Sequence, residues 1–499
     1  MKLYINADHE RFRRSPMIYG HFIEHFHRQI YGGVYDPGNP LSDADGFRTD
    51  VIEAMKKIHV PILRWPGGCF VSSYHWKDGV GRERVPYFDK AWRVEEPNTF
   101  GTDEYIRMCR LIGCEPYICT NAGTGSEEEM SDWVEYCNLK TEGRFARQRI
   151  ENGSREPYAV KYWSIGNENY GSWEIGAKSS QQWARFCTEA AKMMKHVDPK
   201  IELSAAALTD LDWNISLLKA CGPFLDWISI HEYWDPVHET NDLADYEGCM
   251  AFTEDIGHSV RKVRGLLEAM GLEKQIKIAF DEWNLRGWYH PGVHGKQQAE
   301  NSEEYITPRN DNDINSQYTM GDAVFTACFL NMLNRNSDIV GMANFAPVIN
   351  TRGCIFTYPE GIVKRSTYHV FDLYTNELGD IILDDYKAEG ERGTFRNREG
   401  QMVETDLIDT VTTAFADRKG IAVAAVNKDP DHEQALIIDA DISGQVTVRS
   451  ICGDSKDAYN DIDHEGVTIE ETSVGSYSRP MKIMLKPHSV NVIRIAPEQ

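Results

Sequence analysis

Eight short apolar runs recur along most of the chain: MIYGHFI from Met17, ILRW from Ile62, PYICT from Pro116, YWSI from Tyr162, IELSA from Ile201, WISI from Trp227, IKIAF from Ile276 and IVGMA from Ile339. Between them lie longer stretches with a helical period, among them TDVIEAMKKIH, TDEYIRMCRLIG and SSQQWARFCTEAAKMMKHV. The first two open on Thr-Asp, which predicts a Thr N-cap with an acidic first turn, and Gly113 predicts the stop of the second. Strands apolar on both faces and joined by helical crossovers predict a parallel sheet. Eight such units predict an α/β fold, a (β/α)₈ TIM barrel. A doubly wound sheet would carry an early phosphate loop, and neither GxGxxG nor a Walker pattern is present.

After about Leu378 the period changes. GIAVAAVNKD, QALIIDADI, QVTVRSIC, GVTIEETS and SVNVIRIA are short alternating runs separated by Gly, Asp, Asn and Ser, and they predict a C-terminal antiparallel β-sandwich, jelly-roll-like in character. KLYIN at the N-terminus alternates in the same way and is expected to pair into that sandwich. The expected organisation is an N-terminal strand in 1–15, a catalytic barrel in 16–378 and a sandwich in 379–499.

A formal charge of −24 argues against a nucleic-acid partner or a polyanionic substrate and suits a neutral one. No run of apolar residues is long enough for a membrane span, and the N-terminus shows no signal-peptide core, so a cytoplasmic protein is expected. The eleven Cys form no CxxC pair; Cys109, Cys114 and Cys119 recur at a spacing no common metal site uses and read as core thiols of a reducing compartment. The sequon at Asn152 is then idle.

In a barrel of this kind the working residues sit where strands end. Those ends read HFIEHFHRQIYGG, RWPGGCFVSSYHW, TNAGTG, GNENYGSW, HEYW and DEWN, a mixture of Glu, His, Asn, Tyr and Trp. Hydrogen-bonding groups beside flat apolar faces suit a sugar. Glu168 and Glu282, after the fourth and seventh strands, would face each other across the barrel mouth. Cleavage of a glycosidic bond needs such a pair. A partly desolvated Glu168 is expected to hold its proton tightly as general acid. Glu282 is expected to be ionised as nucleophile, with Asp281 pointing to the opposite face of its strand. HFIEH (His21–His25) also fits the inverted zinc-peptidase pattern, but it follows a strand-like run and is cut by YGG, so neither a metal nor another cofactor is expected. A non-catalytic sugar-binding protein is the other alternative.

WSIGNENYGSW, FDEWN, SIHEYW, RWPGGCFVSSYHWKDGVG and GHFIEHFHRQIYGGVYDPGNP together resemble the α-L-arabinofuranosidases of glycoside hydrolase family 51. The resemblance runs through the barrel to about YPEGIVKRSTYHVFDLY. It implies a retaining double displacement on an arabinofuranosyl oligosaccharide, with Glu168 as acid/base and Glu282 as nucleophile. It further implies that Glu24 meets the arabinofuranosyl ring, that Asn167 binds its 2-hydroxyl, that His231 and Tyr233 surround the nucleophile, and that Trp173 lines the pocket; Cys69, which stands where many relatives have Asn, is expected at the same ring. A homo-oligomer, often a hexamer, is implied too. The nearer alternative is a β-xylosidase or endoglucanase of the same clan. VINTRGCIFTYP, around Arg352, is shorter than in relatives that supply a Gln from this loop, and Gly287-Trp288 follow the nucleophile where many relatives place an aromatic sooner. The polar and aromatic stretch 81–97 reads as either a lid or an ordered surface loop.

Overall fold

The computed structural model describes residues 1–237, 242–287, 314–388 and 390–497. After the N-terminal strand β1 (Lys2–Arg13), the eight apolar runs form β2 (Gly20–Phe22), β3 (Ile62–Trp65), β4 (Glu115–Thr120), β5 (Tyr162–Ile165), β6 (Glu202–Ala205), β7 (Trp227–Asp235), β8 (Lys277–Arg286) and β9 (Val340–Phe345). They pair in parallel in the order β6-β5-β4-β3-β2-β9-β8-β7, and a parallel bridge between Ala206 and Ser229 closes β6 onto β7. The run from Met17 opens as a 3₁₀ turn, with Pro16 at its first position and the Ser15 side chain accepting from the Met17 N–H at 3.2 Å, and only then becomes strand.

Helices cross back outside: α1 (Thr49–Lys57), α2 (Thr102–Ile112), α3 (Glu127–Asn138), α4 (Arg144–Glu151), α5 (Ser180–Val197), α6 (Leu211–Cys221), α7 (Tyr246–Ala251), α8 (His258–Met270), α9 (Met320–Arg335) and α10 (Ser366–Glu377). The expected Thr caps need correction. Arg48 and Gly101 are the N-cap residues, and Thr49 and Thr102 are already helical. Their hydroxyls are engaged elsewhere: Thr49 donates to the Leu41 carbonyl at 2.8 Å, and Thr102 accepts from Trp133 Nε1 at 3.1 Å. Glu104 instead reaches back to accept the Gly101 N–H at 2.8 Å. Gly113 ends α2 at φ 87°, a left-handed cap that suits Gly.

The lower barrel interior is filled by Ile62, Tyr117, Tyr162, Trp227, Ala279 and Met342, which close the floor beneath the polar upper layer. Beyond α10 the chain forms β10 (Ile381–Lys387), β11 (Ile408–Ala414), β12 (Ile421–Asn427), β13 (Gln434–Ala440), β14 (Gln445–Gly453), β15 (Val467–Ser476), β16 (Met481–Leu485) and β17 (Ser489–Ala496). They join β1 in the order β15-β14-β17-β12-β11-β10-β1-β13-β16 and fold over a second core containing Leu3, Leu383, Val423, Leu436 and Ile493. Strand β1 sits inside this sheet, antiparallel to β10 and parallel to β13. Arg335 of α9 binds Asp409 of β11 at 2.8 Å, tying barrel to sandwich. No helix among the described residues is long and apolar enough to cross a membrane.

Candidate active site

The sequence after β5 turns sharply. Gly166 has φ +68°, and a Cβ there would stand 2.2 Å from Asn169 Oδ1 and 2.5 Å from Trp183. Asn169 Oδ1 accepts the Asn167 N–H at 3.1 Å, and Glu168 itself lies in the left-handed region at φ 46°. Strain of this kind is kept only where the surroundings impose it, and here it aims the Glu168 carboxylate over the barrel mouth. Glu168 accepts from Trp173 Nε1 at 2.9 Å and meets His231 Nδ1 at 2.9 Å.

Strand β8 carries the second carboxylate. Its register with β7 slips between Ala279 and Glu282, and with β9 between Phe280 and Trp283. This irregularity overturns the expected outward orientation of Asp281: both Asp281 and Glu282 turn inward, which simple alternation forbids. Asp281 is fully buried and takes hydrogen bonds from Tyr117 Oη at 2.8 Å and from the Ser229 hydroxyl. His231 Nε2 lies 3.0 Å from Asp281, and its Nδ1 lies 3.6 Å from Glu282 Oε2. Tyr233 donates to Glu282 Oε2 at 2.9 Å.

Arg64, from the middle of ILRW, is wholly buried and donates to Glu282 Oε1 at 2.5 Å and to Asn167 Oδ1 at 2.9 Å. Because a guanidinium only donates, Asn167 must turn its oxygen to Arg64, and its Nδ2, which has no hydrogen-bond partner, is left as a donor for a ligand. Glu24 accepts the Phe70 N–H at 3.0 Å and Trp92 Nε1 at 2.9 Å. Gly67 and Gly68 make room for it: a Cβ on Gly67 would lie 2.4 Å from Glu24 Cγ, and one on Gly68 would lie 3.3 Å from both Glu24 Oε2 and Glu282 Oε1. Trp92 belongs to stretch 81–97, which contains an ordered hairpin (Tyr87–Asp89 with Val94–Glu96); its indole packs on Phe26 and walls the site.

Together these groups line a cavity of about 390 Å³ that includes Glu24, Cys69, Asn167, Glu168, Trp173, His231, Tyr233 and Glu282, every site residue singled out in the sequence. Gly287 also lines it, whereas Trp288 lies outside the described residues. No residue of the short 348–359 loop is among those lining it. The two histidines of HFIEH do not converge: the His21 ring packs against Phe345 and Phe371, while His25 bonds Glu96 and accepts from Trp65 Nε1.

Two family models match the chain, one described as the α-L-arabinofuranosidase 1 domain over residues 54–250 and one as the α-L-arabinofuranosidase C-terminal domain over residues 281–489. α-L-Arabinofuranosidase C of Emericella nidulans is 34% identical, over 98% of this chain and 96% of that one. The chain belongs to the α-L-arabinofuranosidases of glycoside hydrolase family 51. An intracellular exo-α-(1→5)-L-arabinofuranosidase of Acetivibrio thermocellus is 31% identical over 99% of each chain. Among solved structures, the Thermotoga maritima α-L-arabinofuranosidase in its arabinose complex superposes with a TM-score of 0.89 at 34% identity, covering 99% of both chains. The family 51 enzyme of Thermotoga petrophila does so at 0.86 and 33%, again over 99% of both chains.

The electrostatics of this glycoside hydrolase differ from the sequence expectation. Burial pulls His231 towards neutrality, but the Glu282 charge and the bonds to Asp281 and Glu168 outweigh it and raise it to about 10, so the ring is an imidazolium with both N–H groups donating. Burial pushes Glu168 up, and the His231 hydrogen bond and charge pull it below the usual carboxylate range. Glu282 goes the other way: burial raises it, and His231 and Arg64 offset this only in part. The tightly held proton of the free site therefore rests on His231, 2.9 Å from Glu168, rather than on Glu168 itself. Burial raises Glu24 to about 8, against the Phe70 N–H, so it is neutral at pH 7.

Sequence reasoning missed Arg64, Asp281, Trp92 and Glu174. A lone Arg inside a four-residue apolar strand was a legible signal for Arg64, since a buried charge demands a partner. Glu174 is 5% exposed and faces Glu168 and Cys69. Nothing in the sequence separates it from an ordinary surface Glu.

Proposed function

We propose that the enzyme is a retaining exo-glycosidase that releases terminal α-L-arabinofuranosyl residues from neutral oligosaccharides, fragments of arabinoxylan or arabinan, by double displacement. The observation that carries this reading is the carboxylate separation: an oxygen of Glu168 and an oxygen of Glu282 lie within 4.8 Å of each other. Retaining pairs stand about 5 Å apart, whereas inverting pairs need roughly 6.5–9.5 Å to admit a water. The cavity, near the lower end of the usual range of about 300–1,000 Å³ for small-molecule sites, suits a terminal sugar rather than a long chain.

In the first step Glu282 attacks the anomeric carbon as the glycosidic oxygen leaves with a proton that passes from His231 Nδ1 through Glu168, leaving Glu168 ionised and His231 neutral. In the second, Glu168 takes a proton from water, the water oxygen bonds the anomeric carbon, Glu282 departs, and the proton returns from Glu168 to His231 Nδ1. Tyr233 and Arg64 hold the nucleophile. The free Nδ2 of Asn167 meets the 2-hydroxyl, Glu24 and Cys69 meet the other ring hydroxyls, and Trp173 borders the leaving group. A cytoplasmic location, supported by the name of the Acetivibrio relative, would suit short oligosaccharides as substrate, and a homo-oligomer is the expected assembly.

The test is ¹H NMR of the first product formed from an aryl α-L-arabinofuranoside, run beside an aryl β-D-xylopyranoside. The α-anomer appearing before mutarotation is expected; the β-anomer first, or preference for the xyloside, overturns the reading.

A further inference from the structure

Glu174 is a buried carboxyl with no use in the mechanism above. It is 5% exposed, and neither of its oxygens has a hydrogen-bond partner. Such a group is costly to bury unless something else compensates it. In the free site burial raises it to about 8, helped by the Glu168 charge and opposed by the neighbouring Ser72 hydroxyl and Cys69 thiol. One oxygen of Glu174, one of Glu168 and the Cys69 sulfur all lie within 4.8 Å of one another.

We propose that Cys69, Glu174 and Glu168 form a binding site for a thiophilic divalent cation, Zn²⁺ or Cd²⁺, that blocks the enzyme by occupying Glu168. One thiolate and two carboxylates favour such ions over Mg²⁺ and Ca²⁺, which take oxygen alone. Zinc binds sulfur at about 2.3 Å and carboxylate oxygen at about 2.0–2.2 Å, so the donors must close by about 1 Å, a small rotation of two Glu side chains. Cys69 lines the cavity, which gives the ion an entrance and leaves a fourth position for water. On binding, the metal replaces the Cys69 thiol proton and the Glu174 carboxyl proton, and both pass to solvent; no oxidation state changes.

A second group, Glu168, His231 and Glu282, is as compact, but all three of its residues are already bonded, whereas a metal on the proposed group has only to displace the Trp173 or His231 bond of Glu168. His231 has Nδ1 on Glu168 and Nε2 on Asp281, and Arg64 holds Glu282. Glu174 differs in having both oxygens unbonded. The inhibition rests on the acid/base role of Glu168, whereas the binding does not.

The test is titration of the whole enzyme with Cd²⁺, read both as ultraviolet cadmium–thiolate absorbance and as inhibition of aryl arabinofuranoside hydrolysis. One equivalent of Cd²⁺ is expected to raise the absorbance and inhibit. Cys69→Ser should abolish the band, and Glu174→Gln should weaken both readouts by about tenfold or more. A wild-type enzyme that shows no band, a band that survives Cys69→Ser, or Cd²⁺ affinity unchanged in Glu174→Gln overturns the proposal. Binding without inhibition would keep the site and count against the role of Glu168 instead. Thermal melts of each variant establish that it is folded before titration.

Discussion

Asp281 and Glu282 are consecutive in the chain, yet they grip the same imidazole from two sides: His231 Nε2 is 3.0 Å from Asp281 and Nδ1 is 3.6 Å from Glu282. A regular strand would place one of them outside the barrel. The slipped register of β8 brings both in, so Glu282, the proposed nucleophile, and the residue that fixes His231 form one unit.

Replacing either member of the carboxylate pair separates their roles. Glu282→Ala is expected to lose turnover on every substrate, by about four orders of magnitude or more. Glu168→Ala should lose about 10²–10⁴-fold on poor leaving groups and much less on activated aryl arabinofuranosides. Steady-state rates on the two substrate classes check this, and equal loss on both removes Glu168 from the acid/base role.

Arg64→Met removes a buried cation that lies against both Glu282 and Asp281 and leaves His231 to balance the two alone. Glu282 should then hold its proton to higher pH, moving the acid limb of kcat/KM upward. Breaking the buried pairs is expected to cost about 3–5 kcal/mol of stability. A pH–rate profile with a urea melt reads both effects. An unmoved acid limb would mean that Arg64 serves packing alone.

Gly68→Ala isolates a steric question. Gly68 has φ −81°, outside the left-handed region, but the new methyl would lie 3.3 Å from both Glu24 Oε2 and Glu282 Oε1. A fall of about 10²-fold in kcat/KM with the fold retained in a thermal melt is expected, because the methyl would enter the space between Glu24 and Glu282 that the proposed mechanism gives to the ring. Retained activity would place the sugar elsewhere.

The His231–Asp281 pair gives stability a defined pH window. His231 is raised from 6.5 to about 10, so its contribution is complete below 6.5 and is lost as pH climbs through 10. Asp281 is lowered from 3.8 to about 2, against burial, by Arg64 and His231, so its contribution is complete above 3.8 and is lost as pH falls through 2. Urea midpoints of wild type and His231→Gln should therefore differ most between about pH 4 and 6.5 and converge towards about pH 10. A constant difference across that range would contradict a charged His231.

The eight barrel strands were legible because a strand covered on both faces must be apolar throughout, and the Glu after the fourth and seventh broke that pattern conspicuously. The direction of Asp281 was not legible, since a bulge leaves no mark in the alternation that predicts facing. The proton order failed for a related reason: His231 comes from a third strand, and its effect on Glu168 exists only once β5, β7 and β8 are brought together. Trp92 was hidden in a polar loop, with no sign that its indole reaches Glu24. The Thr caps failed because tertiary partners, Leu41 and Trp133, claimed both hydroxyls.

Strand β1 lies between β10 and β13, inside the C-terminal sheet. Residues 2–13 thus wait for residues 381–440 before they find their neighbours, while the barrel between them can close meanwhile. The sandwich is less an appended module than a clasp fastened from both sides of the barrel, and deleting Lys2–Arg13 would open a seam in the middle of a sheet rather than trim its margin.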